Sequence, residues 1–114
     1  MTKIAEALTR IPGQIRLEGH TDDTPIRTAL YPSNWQLSAA RAITVLRLLS
    51  TRYQIDPDRL GAAGYGEFRP LVPNDTAGNR SKNRRVDVVI LTKDAAAMEP
   101  ASERAAAAGP INVD

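Results

Sequence analysis

His20, Thr21, Asp22 and Asp23 follow one another just past a segment of alternating polarity, where side chains leave a strand and can converge on a ligand. Asp and Thr are also ordinary turn residues, and an Asx turn would account for them without any chemistry. A metal site would need His20, but it is the sole histidine, and no second cluster of His or carboxylates is spaced to complete a shell. A Ser-His-Asp hydrolase would need the same His20 as its base, and no Gly-x-Ser-x-Gly nucleophile elbow occurs in the chain. The chain has no cysteine, so thiol nucleophiles, cysteine-held metals and disulfides drop out together. We assign no catalytic residue, metal or cofactor.

The cations are more informative. Leu37 and Arg41 are four residues apart in a helical pattern and share one face, displaced from the apolar stripe. Arg41 projects from the first two turns, where the helix dipole favours anions, so its motive is a carboxylate or a ligand rather than the helix itself. Arg80, Lys82, Arg84 and Arg85 crowd the entrance to the last apolar run. Such a knot could hold phosphate or nucleic acid, but it lacks interleaved aromatics and any extension into a basic face. The net charge of +2 announces no polyanionic partner. By strand alternation Arg84 and Arg85 point to opposite faces: Arg85 is expected to pair with Glu18 across the sheet, and Arg84 to emerge beside the long helix.

The elements that position these groups can be read from periodicity. Residues 2–11 place Ile4, Ala7, Leu8 and Ile11 at helical spacing before Pro12-Gly13 stops them. Residues 14–19 alternate as a half-buried strand, and residues 20–32 form a polar loop. Ser33 and Gln36 have capping-box spacing and open a long helix, with Trp35, Ala39, Ala42, Leu46, Leu49 and Tyr53 as its expected buried stripe. Residues 60–65 read as a short strand, residues 66–83 as a polar loop, and residues 86–91 as a central strand covered on both faces. One domain is expected over residues 1–92, of the α+β class, with helices packed on a small mixed sheet. Residues 93–114, rich in alanine, read as a disordered tail. No apolar run is long enough to cross a bilayer, and the start of the chain is not a signal peptide.

Taken together, Gly19-His20-Thr21-Asp22, Leu37-Ser38 with Arg41-Ala42 and Val45, Gly64-Tyr65-Gly66-Glu67 and Asn83-Arg84-Arg85-Val86 resemble the peptidoglycan-binding domain of the OmpA/MotB family. The spacer between Asp22 and Leu37, with Pro25-Ile26 and the run from Pro32 to Ala42, is similar to the MotB branch, the cell-wall anchor of flagellar motor stators. The resemblance implies non-catalytic binding of peptidoglycan through its diaminopimelate-containing stem peptide. Carried over by motif, Asp22 is the acidic anchor, Leu37 lines the groove, Arg41 pairs with Asp22 and the ligand carboxylate, and Arg84 is a second cationic contact. Thr21 and Asn83 are lesser polar contacts.

The resemblance further implies a periplasmic domain of a cell-membrane protein, a homodimer, and in the full-length family a stator membrane partner. Family members carry a further strand ahead of the first helix, so the chain is expected to be a fragment of a longer protein or the product of a degenerate gene. Two other readings stay open: an OmpA-like outer-membrane protein or lipoprotein tethered to peptidoglycan, and, from another class, a basic nucleic-acid-binding module that would lose affinity steeply with salt.

Overall fold

The computed structural model describes residues 2–91, so the expectation for residues 93–114 lies outside what is described. In chain order the elements are α1 (Thr2–Arg10), β1 (Gln14–His20), α2 (Asn34–Thr51), a single 3₁₀ turn (Pro57–Arg59), β2 (Leu60–Gly64), α3 (Ala77–Asn83) and β3 (Arg85–Leu91). The sheet order is β2-β1-β3, with β1 parallel to β2 and antiparallel to β3. Helices pack on a small mixed sheet, as expected. Among the described residues no helix is long and apolar enough to cross a membrane.

β1 alternates as its sequence demands: Ile15 and Leu17 are buried toward the helices, while Arg16 and Glu18 pair on the other face at 2.6 Å. Ala5 and Leu8 of α1, Ala42 and Leu49 of α2, and Ile55 complete the core, with Val86, Val88 and Ile90 packed against it. The expected α1 stripe is therefore rotated, since Ala5 is buried and Ile4 is left outside. Among the described residues the last run is also an edge strand, not a central one. β3 pairs only with β1 among the described residues, and all seven of its residues are half-buried. An unbroken apolar run does not by itself distinguish an edge strand from a covered one; here Arg85 and Asp87 mark the face turned from the core.

The N-cap of α2 is Ser33, which accepts from the Trp35 N–H and donates to Gln36 Oε1. The buried face of α2 begins with Asn34 and Ser38, however, and not with Trp35 and Ala39. Two glycines cause this shift. Gly19 and Gly64 are register partners on β1 and β2, and the backbone of α2 rests directly on them. A Cβ at Gly19 would lie 1.9 Å from the Ser38 carbonyl oxygen, and one at Gly64 would lie 2.5 Å from the Ala39 nitrogen. Only a small side chain fits that contact, and Ser38 fills it with its hydroxyl satisfied: it donates to the Trp35 carbonyl and accepts from the Gly66 N–H.

The C-terminal end of α1 is closed by a residue remote in sequence. Arg59 donates to the carbonyls of Leu8 at 3.1 Å, Ile11 at 2.5 Å and Gly13 at 2.9 Å. Arg59→Ala is expected to destabilise the fold by about 2 kcal/mol, because charged hydrogen bonds contribute about 1.5–3 kcal/mol each and water replaces part of them at a half-buried site. Thermal unfolding should show a drop of about 10 °C, which Arg59→Lys recovers only in small part because an ammonium cannot span three carbonyls.

Residues 77–83, expected within a polar loop, form α3. It carries no apolar stripe and is held by its ends: Thr76 accepts from the Asn79 N–H at 3.0 Å, and Asp75 accepts from the Asn79 amide at 2.8 Å.

Candidate ligand-binding groove

A groove of about 280 Å³ opens where β1 ends, lined by Thr21, Asp22, Thr24, Pro25, Ile26, Asn34, Leu37, Arg41 and Arg84. Five of the six expected site residues thus meet in one place. β1 delivers Thr21 and Asp22, the start of α2 delivers Leu37 and Arg41, and the residue entering β3 delivers Arg84.

Asp22 is the fixed point. Its side chain is 9% exposed, Oδ1 accepts from the Thr24 N–H at 2.9 Å, and Oδ2 accepts from Arg84 Nη1 at 2.6 Å. Burial pushes the carboxyl up, but the Thr24 and Arg84 hydrogen bonds and the Arg84 charge outweigh it and hold Asp22 below the usual carboxylate range. It is an anion at neutral pH. Its contribution to stability is in place above the ordinary carboxylate pKa and is lost as pH falls through the lowered value.

The expected pairing of Arg41 with Asp22 is corrected. The antiparallel register sets Arg85 opposite His20, so Arg84 arrives beside the end of β1 and takes Asp22. Arg41 is exposed, and its guanidinium makes no ion pair among the described residues. It also lines an adjoining concavity of about 330 Å³ with Thr44, Val45, Arg84, Arg85 and Val86. The groove therefore offers one anion already paired with a cation, and a second cation unpaired at its rim.

Asn83 is also corrected. It is wholly buried, its Oδ1 accepts from the N–H groups of Leu71 and Val72, and its Nδ2 donates to Val72 O and Asn74 Oδ1. That clamp on residues 71–74 leaves nothing for a ligand. Thr21 is buried, and its hydroxyl donates to the Asp22 carbonyl at 2.8 Å, so it shapes the wall. Asn34 had no role assigned in the sequence. Its amide donates to Thr24 O at 3.1 Å and to Glu67 Oε1 at 3.2 Å, tying the groove's outer loop to the turn after β2. Its place right after the helix-capping Ser33 was the only available hint.

Three of the four cations of the basic knot are charge-matched. Arg80 meets Asp23, Arg84 meets Asp22, and Arg85 meets Asp87 rather than the expected Glu18, which pairs with Arg16. In the register Glu18 faces Asp87, so Arg85 finds its carboxylate on its own strand, two residues on. Of the knot, Lys82 is left without an ion pair among the described residues.

His20 is 3% exposed, stacked on Tyr65 at 5.4 Å, with Nε2 3.4 Å from Asp87 Oδ2. The structure does assemble a group that the sequence did not suggest, since ligand atoms of Glu18, His20 and Asp87 lie within 4.8 Å of one another. Arg16 and Arg85 already neutralise both carboxylates. Burial, followed by the Arg85 charge, lowers the His20 pKa, so below about 6.5 the unfolded chain binds a proton that the fold resists. Stability should fall as pH drops from 7 to 5. His20→Gln should flatten that slope in a melting-temperature titration.

With this geometry in hand, comparison with known proteins is decisive. A family model described as the OmpA family matches residues 1–84. The chain belongs to the OmpA family. Motility protein B of Bacillus subtilis is 46% identical over 85 residues, covering 75% of this chain and 33% of that protein. Outer membrane protein Omp38 of Acinetobacter baumannii is 37% identical over 109 residues, covering 95% of this chain and 30% of that protein. The chain thus spans about one third of the length of these curated relatives.

Among solved structures, the C-terminal domain of Helicobacter pylori MotB superimposes with a TM-score of 0.72 at 34% identity, covering 83% of this chain and 72% of that one. The cell wall anchor of the T6SS from Pseudomonas aeruginosa gives a TM-score of 0.72 at 42% identity, covering 78% of this chain and 62% of that one. This OmpA-family domain is MotB-like in sequence and fold.

Proposed function

We propose that the domain binds peptidoglycan without catalysis, taking the diaminopimelate-containing stem peptide into the Asp22 groove, as the periplasmic cell-wall anchor of a flagellar motor stator protein. The observation that carries this reading is the disposition of charge: Asp22 is held by Arg84, and Arg41, without an ion pair among the described residues, lines the same groove. A zwitterionic amino acid needs an anion for its ammonium and a planar cation for its carboxylate at fixed separation, and a guanidinium binds a carboxylate in bidentate fashion. The relatives named Motility protein B, and the structure titled as a cell wall anchor, support the class of ligand.

Each charge-assisted hydrogen bond contributes about 1.5–3 kcal/mol and association costs at least about 4 kcal/mol, so a single domain holds with millimolar to micromolar affinity. A homodimer, joined in the whole protein to a stator membrane partner, would gain retention on a polymer through effective concentration. A second reading, a wall tether on an outer-membrane protein, rests on the match to Omp38 and uses the same groove.

The test is co-sedimentation with purified peptidoglycan. The wild-type chain and Arg47→Ala, altered on α2 outside the groove, should both pellet, and mass spectrometry should find no cleaved muropeptide after prolonged incubation. A wild-type chain left in the supernatant would end the binding reading, and released fragments would make it an enzyme.

A further inference from the structure

Trp35, expected in the buried stripe of α2, stands outside it beside Phe68. Trp35 is 50% and Phe68 61% exposed, and neither joins the core cluster. They lie against each other with ring centroids 5.0 Å apart and planes at 24°. Their mutual placement is built. Gly66 takes a left-handed φ of 62°, donates its N–H to Ser38 Oγ at 2.9 Å and accepts from the Thr21 N–H at 2.9 Å. A Cβ on Gly66 would lie 3.5 Å from both the Trp35 and the Phe68 rings, so the turn sits beneath the pair.

This aromatic pair adjoins the groove. Asn34, which lines the groove, precedes Trp35, and its amide reaches Glu67, which precedes Phe68. One side chain thus ties the groove's outer loop to the base of the aromatic pair.

We propose that Trp35 and Phe68 form a sugar subsite, which stacks on an N-acetylated hexose of the glycan strand while the stem peptide borne by that strand occupies the Asp22 groove. The inference rests on the peptidoglycan reading above and assigns the other half of the ligand. A pyranose presents a face of C–H groups and a rim of hydroxyls, and an exposed aromatic face neighboured in sequence by Gln36 and Glu67 complements both. A protein partner is the poorer match. Two rings bury at most about 500 Å² together, below the roughly 800 Å² that each side of a stable protein interface contributes. Because sugar and peptide are covalently joined, occupying one subsite raises the effective concentration of the other.

Three probes separate this inference from the reading beneath it: the free diaminopimelate tetrapeptide, the disaccharide-tetrapeptide, and chitotetraose, which carries no peptide. By calorimetry the wild-type chain should bind the disaccharide-tetrapeptide about three- to tenfold more tightly than the free peptide. Phe68→Ala should erase that gain and leave the free-peptide affinity unchanged. Trp35 is the only tryptophan, so its emission should shift with millimolar chitotetraose.

No gain from the disaccharide, or an equal loss on both peptide ligands in Phe68→Ala, overturns the sugar subsite while leaving the groove intact. A chitotetraose shift without peptide binding by the wild type leaves the subsite standing and removes the groove reading. If Phe68→Ala instead converts an oligomer to a monomer in size-exclusion chromatography with no change toward sugar, the pair is a self-association contact and the inference fails.

Discussion

Asp22→Asn is expected to abolish retention of the chain on peptidoglycan, with an affinity loss of about 10- to 100-fold toward the diaminopimelate peptide. The substitution keeps the shape and can keep the bond from the Thr24 N–H, so the loop has reason to stay in place. What it removes is the charge. The amide leaves Arg84 without its counter-ion at a 2.6 Å contact and offers nothing to a ligand ammonium beyond a neutral oxygen. Circular dichroism should show a folded chain, which makes pelleting a clean readout. Arg41→Ala provides the complementary test. Its guanidinium has no ion-pair partner to lose among the described residues, so binding should weaken with the melting temperature unchanged, whereas Arg84→Ala should lower both. Equal pelleting of wild type and Asp22→Asn would place the ligand elsewhere.

The second large effect is expected from Gly19→Ala. The new methyl would meet the Ser38 carbonyl oxygen at 1.9 Å, and the obstacle is helix backbone, not the end of a flexible side chain. α2 must lift from β1, opening the contact that also seats Gly64. Overpacking usually costs about 1–3 kcal/mol, and a backbone clash of this depth belongs at or above the upper end. For a domain of this size that lowers the melting temperature by more than about 10 °C. Gly61→Ala is the control: nothing lies within 4 Å of its added methyl, so its melting temperature should hold or rise.

That contact also explains how far the sequence could be read. β1, β2, α1 and the body of α2 were legible because apolar spacing and punctuation carry that information, as in Ile15 and Leu17 or the run Ala42, Leu46, Leu49. The first turns of α2 were not. Close approach over glycines replaces apolar burial there, so Ser38 goes inside and Trp35 outside, against hydropathy. α3 was invisible because its caps hold it and no apolar face does. The edge position of β3 among the described residues follows from pairing, which a single run of valines does not encode. For the groove, the family resemblance pointed to Asp22, Leu37, Arg41 and Arg84, but which arginine meets Asp22 depends on the β1–β3 register. Asn83 was a ligand contact only by carry-over from the family motif; its burial becomes visible once residues 71–74 fold over it.

β1 is the middle strand, paired with a neighbour on each side from Ile15 to Gly19, and the groove sits at its far end. A pull on something gripped at Asp22, resisted from the side of α1, would run lengthwise down this one strand. Ladder bonds lie across that direction, so both rows would be loaded in shear together instead of unzipping one by one. The strand best placed to hold the ligand is also the one that tension would find hardest to draw out.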